Sequence, residues 1–247
     1  MRTVRVAVIS DIHANFHALE AVLAAVDRER PDELWCLGDL VGYGPRPNEC
    51  TATVAERADL CLVGNHDLVV LSTDGVGIED FNEEAAAAAR WTQATLSAEA
   101  RAFLETLEPS AERAGAALFH ASARDPVWEY VLSAESAIAS IELSGAPLVL
   151  VGHSHVALAL VLDEGRLTGG LAPDGADADL AEGRWLLNPG SVGQPRDGDR
   201  RAAWLLLDFD GLHADFRRVE YAVASTQQEI VAAGLPSALA ERLDVGV

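Results

Sequence analysis

Val4-Arg5-Val6-Ala7-Val8-Ile9-Ser10-Asp11-Ile12-His13 decides how the rest of this chain reads. Its first six residues are short and rich in β-branched side chains, and polar residues follow at once, which predicts a buried strand. A carboxylate and an imidazole then stand two positions apart just past the strand's end. Residues 14–28 read as a helix, because Phe16, Leu19, Val22, Leu23 and Val26 recur at three- and four-residue steps and make one apolar face. Pro31 forces a new start. Residues 34–37 form a second strand that runs into Gly38-Asp39. Pro47 suits the first turn of a helix over 47–58, and a third strand over 60–63 ends at Gly64. The order β-α-β-α-β predicts a parallel sheet.

Farther along, residues 80–92 read as helical with Asn82 as a candidate N-cap, and a helix over 98–107 is stopped by Pro109. Short buried strands are expected at 116–119 and 148–151, with a helix over 134–143 between them. After Val156 the texture turns β-rich, with strands at 157–162, 166–168, 185–187, 203–209 and 212–218 and tight turns such as Asp210-Gly211. Helices at 225–233 and 236–243 close the pattern. The acidic stretch 173–182 has no metal-loop spacing and reads as a solvated loop. The expectation is one domain over 1–247, with a motif-bearing part to 155, a β-rich part over 156–220 and C-terminal helices over 221–247.

Composition narrows the function classes. The 247 residues are 49% hydrophobic and 23% charged, with a net charge of −21; this is globular rather than disordered composition. A field of that sign repels nucleic-acid polymers and anionic membrane surfaces. All 18 basic residues are Arg. Without Lys there is neither a P-loop nor a Schiff-base mechanism, and every cation is a planar fork suited to carboxylate or phosphate. Cys36, Cys50 and Cys61 form no CxxC pair, which suits a reducing compartment. The first residues lack the apolar run of a signal peptide, and no stretch is long and apolar enough to span a bilayer. A cytoplasmic protein is expected; the oligomeric state is not readable.

The chemistry sits where the strands end. Successive apolar runs lead into Asp11-Ile12-His13, Gly38-Asp39, Gly64-Asn65-His66-Asp67, His120 and Gly152-His153-Ser154-His155. In an open α/β sheet, the carboxyl edge is where ligands bind. Mixed carboxylate, amide and imidazole donors suit manganese, iron, zinc or nickel and fit calcium poorly. Seven candidate ligands are too many for one tetrahedral ion and suit two ions sharing a carboxylate. Taken singly, Asp11 also fits a helix cap, Asp39 and Asn65 fit turns, and His120 fits a packed histidine. His17 and His213 fall outside the pattern.

The ordered set DxH, GD, GNH[DE], His and GHxH resembles the calcineurin-like metallophosphoesterases. The resemblance implies a four-layer α/β/β/α sandwich of two mixed sheets. It implies Asp11, His13 and His155 on one divalent ion, Asn65, His120 and His153 on a second, and Asp39 bridging them, with manganese or iron favoured over zinc or nickel. His66 would act on the phosphate or the leaving oxygen instead of binding metal, and the nucleophile would be a metal-bridging hydroxide attacking in line. The implied activity is hydrolysis of a small phosphodiester or phosphomonoester, including a dinucleoside polyphosphate. Protein Ser/Thr phosphatases of the superfamily carry GDxVDRG; here Gly42 and Tyr43 replace its second Asp and its Arg, which weakens that alternative. The form here looks like the small bacterial and archaeal phosphodiesterase and diadenosine tetraphosphate hydrolase-like branch. A non-catalytic scaffold of the same fold is the other alternative, against which the retained His66 speaks; an amidohydrolase-type site is disfavoured by the late HxH and the missing Lys. Tyr43, Arg46 and Arg196, on two Gly/Pro loops, and Asn15, four residues past Asp11, are the candidate substrate contacts.

Overall fold

Strand β1 (Arg5–Ile9) shows how the sandwich is built. Its Val6 and Val8 point into one apolar cluster, whereas Ala7 and Ile9 point into another. A strand buried on both faces in this way lies in the middle of a layered structure. The computed structural model describes residues 4–73 and 77–247. In it β1 leads through α1 (Phe16–Glu29) to β2 (Glu33–Cys36), then through α2 (Pro47–Arg57) to β3 (Leu60–Cys61) and α3 (Asn65–Leu71). Helices α4 (Glu83–Thr95) and α5 (Ala98–Leu104) precede β4 (Ser110–Arg113), β5 (Ala116–Phe119), α6 (Ala134–Ser144) and β6 (Leu148–Leu150). Strands β7 (Ala157–Asp163), β8 (Arg166–Leu171), β9 (Asp177–Asp179), β10 (Arg184–Pro189), β11 (Ala202–Asp208) and β12 (His213–Val219) follow, and α7 (Val223–Ala232) and α8 (Ser237–Glu241) come last.

Two six-stranded mixed sheets result, ordered β3-β2-β1-β11-β12-β9 and β4-β5-β6-β10-β7-β8. Strands β1, β2 and β3 are mutually parallel, as are β5, β6 and β10; the remaining pairings are antiparallel. The inner faces meet through Val6, Val8, Trp35, Leu118, Leu150 and Leu205, among others. Helix α1 covers the outer face of the first sheet with the side chains its periodicity exposed, Leu19, Val22, Leu23 and Val26. Helix α6 covers the second through Ala137 and Ile141 against Val149, Val151 and Leu186. This is the four-layer arrangement of two mixed sheets between helices. Among the described residues no helix is long and apolar enough to cross a membrane.

Several elements differ from the sequence-based expectation. Strand β4 carries no apolar alternation and is held by its antiparallel ladder to β5. The acidic stretch contains β9, which pairs with β12 and turns only Ala178 into the core. The expected strand at 60–63 ends at Cys61, and the chain then turns into α3, which no periodicity announced. Helix α4 starts at Glu83, with the Asn82 side chain accepting from the Ala85 amide as expected, and Ile78–Asp80 forms only a 3-10 turn.

Candidate metal centre

The carboxyl ends of β1, β2 and β3 share one edge, and those of β5, β6 and β10 face it from the second sheet. Asp11, His13, Asp39, Asn65, His120, His153 and His155 converge there, and all are buried. The nitrogen and oxygen donors of Asp11, His13, Asp39 and His155 lie within 4.8 Å of one another, as do those of Asp39, His120 and His153. Asp39 belongs to both groups. Asn65, the first residue of α3, reaches the second group, its Oδ1 lying 3.1 Å from His120 Nε2.

Main-chain carbonyls set the tautomer of each imidazole. His13 Nδ1 lies 3.1 Å from the Val41 oxygen, His155 Nδ1 2.7 Å from that of Gln194, and His120 Nδ1 2.8 Å from that of Leu37. His153 is reversed, with Nε2 3.1 Å from the Trp128 oxygen. A carbonyl only accepts, so each of these nitrogens carries the proton and the other nitrogen turns a bare lone pair inward. His13 Nε2 and His155 Nε2 then stand 3.0 Å apart, lone pair to lone pair. His13 and His120 Nε2 each lie 3.5 Å from Asp39 Oδ2, a buried oxygen with no hydrogen-bond partner. Such a cluster of acceptors is repulsive by itself and is matched by cations. The donor set therefore fits divalent metal, and the outer N–H bonds are the supports that orient metal-binding histidines.

Electrostatics agree with the geometry. Burial pushes the Asp11 carboxyl up to about 7 and holds Asp39 well above the carboxylate range, with the charge of Asp67 adding to it. Burial pushes His153 down to about 2 and holds His13 and His155 well below the imidazole range. These three imidazoles are thus neutral and ready to ligate at every physiological pH, whereas the carboxyls must release protons when metal enters. The sign follows: metal affinity falls as pH drops below about 7, because Asp11 becomes protonated there, and Asp39 steepens the slope. Titrating chelator-stripped protein with manganese between pH 5.5 and 8 is expected to show a loss of about tenfold or more per pH unit on the acid side. A flat profile would contradict this account.

The local backbone is bent for the purpose. Asp11, His13, Asp39, His153 and His155 all have positive φ, between 49° and 61°. The segments after β1, β2 and β6 take left-handed steps at these residues, a conformation that costs a non-glycine residue about 1 kcal/mol. Neighbours lock these steps. The Asp11 carboxylate accepts from the His153 amide, its main-chain oxygen accepts from Ser191 Oγ at 2.7 Å, and Asp67 accepts from the amides of Leu40, Val41 and Gly64. A Cβ at Gly64 would lie 2.0 Å from Asp39 Oδ1, so only glycine lets the start of α3 pass this carboxylate.

Comparison with known proteins follows the same line. The profile of the calcineurin-like phosphoesterase superfamily domain matches residues 4–211. The chain belongs to this superfamily. It is 40% identical to a metallophosphoesterase from Sphaerobacter thermophilus of known structure, with a TM-score of 0.89 and full coverage of both chains. It is 36% identical over 252 residues to an uncharacterized protein of Methanocaldococcus jannaschii, covering 98% of each. A shorter match, 37% identity over 68 residues, joins it to a symmetrical bis(5'-nucleosyl)-tetraphosphatase of Psychromonas ingrahamii and covers 26% of this chain and 25% of that protein.

In this superfamily member His66 lies beside the cluster in the first turn of α3, its amide donating to Asp39 Oδ1 at 2.9 Å. Its ring is boxed by His13, Tyr43 and Phe81 at centroid distances of 4.8, 4.4 and 4.3 Å, and Nδ1 is buried without a partner. Gly42 explains the last point. It stands where the protein phosphatase motif has its second Asp, its φ is +88°, and a Cβ there would lie 2.5 Å from His66 Nδ1. Packing holds this ring instead of a carboxylate. Gly42→Ala is expected to displace the ring and lower kcat about a hundredfold with metal content unchanged, as read by kinetics alongside metal analysis.

Three of the four candidate substrate contacts are engaged elsewhere in this structure. Asn15 caps α1: its Oδ1 accepts from Ala18 N and Thr226 Oγ1, and its Nδ2 donates to the Gly193 oxygen. Arg46 is taken by Glu229, which accepts from its Nε at 2.8 Å and from Nη2. Tyr43 is buried against His13, His66 and apolar side chains from the C-terminal helices, so it positions rings instead of offering an open face. Arg196 remains available. Its Nη2 donates to Gln194 Oε1 at 2.9 Å and to Tyr43 OH at 3.3 Å, and its buried Nε has no partner. Tyr130 was not foreseen. Its ring stacks on His153 at 4.0 Å while the residue stays 47% exposed, so one open aromatic face borders the centre. Its loop has no periodic signal that marks it in sequence. His17 pairs with Glu229, and His213 lies beside Asp215, both away from the cluster.

Proposed function

We propose that this protein hydrolyses phosphoester bonds in a small phosphorylated substrate at a two-metal centre. The observation that carries this reading is the inward-facing set of acceptors joined at Asp39: four histidines turn bare nitrogens toward two buried carboxylates, and both groups of donors contain Asp39. Asp11, His13 and His155 would hold one ion, Asn65, His120 and His153 the other, and Asp39 both. Manganese or iron suits these donors well, and zinc or nickel is also compatible. When bound, such a pair supplies Lewis acidity to a phosphoryl oxygen and lowers the pKa of water.

The chain's own groups do the rest. Asp39 is fixed by the His66 amide, so the shared carboxylate does not rotate. His66 is held neutral by burial and presents its ring at the cluster's edge. A substrate phosphate entering there adds negative charge that favours the protonated imidazole, so the ring can take up a proton and hand it to the leaving oxygen. Arg196, whose guanidinium meets Gln194 and Tyr43 but no carboxylate among the described residues, would turn to phosphate oxygens beside His155. Tyr130 offers an exposed face to the remainder of the substrate.

The test is hydrolysis of bis-p-nitrophenyl phosphate, p-nitrophenyl phosphate and diadenosine tetraphosphate by metal-stripped protein with manganese, iron, zinc or nickel restored. Metal-dependent turnover of any one supports the reading, and their ranking gives the substrate class. Two bound ions with no turnover of any substrate would overturn it.

A further inference from the structure

Tyr130 is the only exposed Phe, Tyr or Trp among the described residues, and it stands against a donor of the metal cluster. Its ring lies within 22° of parallel to that of His153, with 4.0 Å between the centroids. The buried imidazole covers one face of the phenol, and the other side of Tyr130 meets solvent.

The loop that carries Tyr130 is braced, so this face is fixed before anything binds. Asp125 Oδ1 accepts from the amides of Val127 and Trp128, both at 3.0 Å, and Ser122 Oγ and Arg124 Nε donate to Glu129. The Trp128 oxygen accepts from His153 Nε2, and the Trp128 ring meets Phe81, which boxes His66. Val131 is buried with Ala137 and Ile141 of α6, whereas its neighbours Tyr130 and Leu132 are exposed. One short segment thus joins an outward aromatic ring to a metal donor and to the packing around His66. A platform fixed in advance loses little freedom when a ligand arrives, and a planar ring is the group that matches it.

The layering sets the kind of ligand. A planar group laid on the open face of Tyr130 lies about 3.5–4 Å beyond it, and Tyr130 itself stands 4.0 Å from His153. The group is therefore two ring spacings from the donor cluster. An aryl phosphate joins its ring directly to the ester oxygen and keeps it within one layer of the phosphorus. A nucleoside phosphate places a sugar between phosphate and base, which supplies the second layer. We infer that Tyr130 is a specificity-determining residue that stacks the base of a nucleoside phosphate whose cleaved phosphate lies at the metal cluster. This deepens the proposed function and rests on it for the place of the phosphate.

Calorimetry on manganese-loaded protein reads the stack without turnover. The probes are the AMP analogue in which a methylene group replaces the bridging 5'-oxygen, its counterpart lacking the base, and phenylphosphonate; none has a phosphoester bond to cleave. Wild type is expected to bind the first about five- to hundredfold more tightly than the second, and phenylphosphonate no more tightly than the second. Tyr130→Ala should bring the ratio of the first two close to one while manganese affinity and binding of the base-free probe stay unchanged. Tyr130→Phe should keep the ratio. A wild-type ratio near one, a ratio undiminished in Tyr130→Ala, or phenylphosphonate bound as tightly as the AMP analogue overturns the inference. Equal weakening of the first two probes in Tyr130→Ala also overturns it, because the ring would then only support His153. Turnover of the three phosphoesters named above is read separately. Turnover with a wild-type ratio near one defeats the stack and leaves the function standing, whereas a high ratio that Tyr130→Ala abolishes, without turnover, does the reverse.

Discussion

His66→Ala is expected to bind both metal ions with unchanged stoichiometry and to lose about 10²–10⁴-fold in kcat. The imidazole is buried beside the donor cluster, but it belongs to neither group of donors, and its Nδ1 has no hydrogen-bond partner. Truncation removes a proton-handling group and opens a small void among His13, Tyr43 and Phe81 without removing a donor. His66→Gln fills much of that void and restores no proton transfer at neutral pH, so it should be almost as inactive. Metal analysis with single-substrate kinetics checks both variants. Loss of metal in either would show that His66 is a ligand, and near-normal kcat would remove it from the chemistry.

Asp39→Asn is expected to have effects of opposite sign with and without metal. Asp39 is fully buried, its Oδ2 lacks a partner, and burial together with the Asp67 charge holds it well above the usual carboxylate range. An amide of the same shape keeps the acceptor for the His66 amide and removes the charge burden. The metal-free melting temperature should therefore hold or rise. In wild type, manganese at about a hundred times its Kd should raise Tm by roughly 5–10 °C. That rise should vanish in Asp39→Asn, and activity should fall to background, because both groups of donors contain this residue. Thermal melts with and without manganese decide the matter. A full metal-dependent rise in the variant would show that Asp39 is not shared.

The parts of this architecture that depend on local order were legible in the sequence. Asp11 and Asp39 follow buried runs directly, and His153 and His155 follow a strand that is apolar on both faces, so the strand ends and the ligand positions coincide. The apolar stripe of α1 gave its buried face. The parts that depend on long-range partners were not legible. Arg46 reads as a free phosphate fork until Glu229, 183 residues away, is seen to hold it. Asn15 reads as a phosphate donor until Gly193 and Thr226 consume it. Strands β4 and β9 have no apolar period, because each offers the core only one alanine, Ala111 or Ala178, and is otherwise placed by a neighbouring ladder. Tyr130 sits in an irregular segment whose place beside the cluster is set by tertiary packing alone.

The five left-handed ligand positions set stability and chemistry against each other during evolution. Glycine is the residue that such backbone suits best, and at His153 or His155 it would relax about 1 kcal/mol of conformational cost while deleting an imidazole from a crowded acceptor cluster. A population screened only for thermal stability in chelator should therefore drift toward glycine at these positions and accumulate robust proteins with no metal centre. Keeping aspartate and histidine at these positions therefore holds the donor cluster together at a conformational cost that the fold alone does not require.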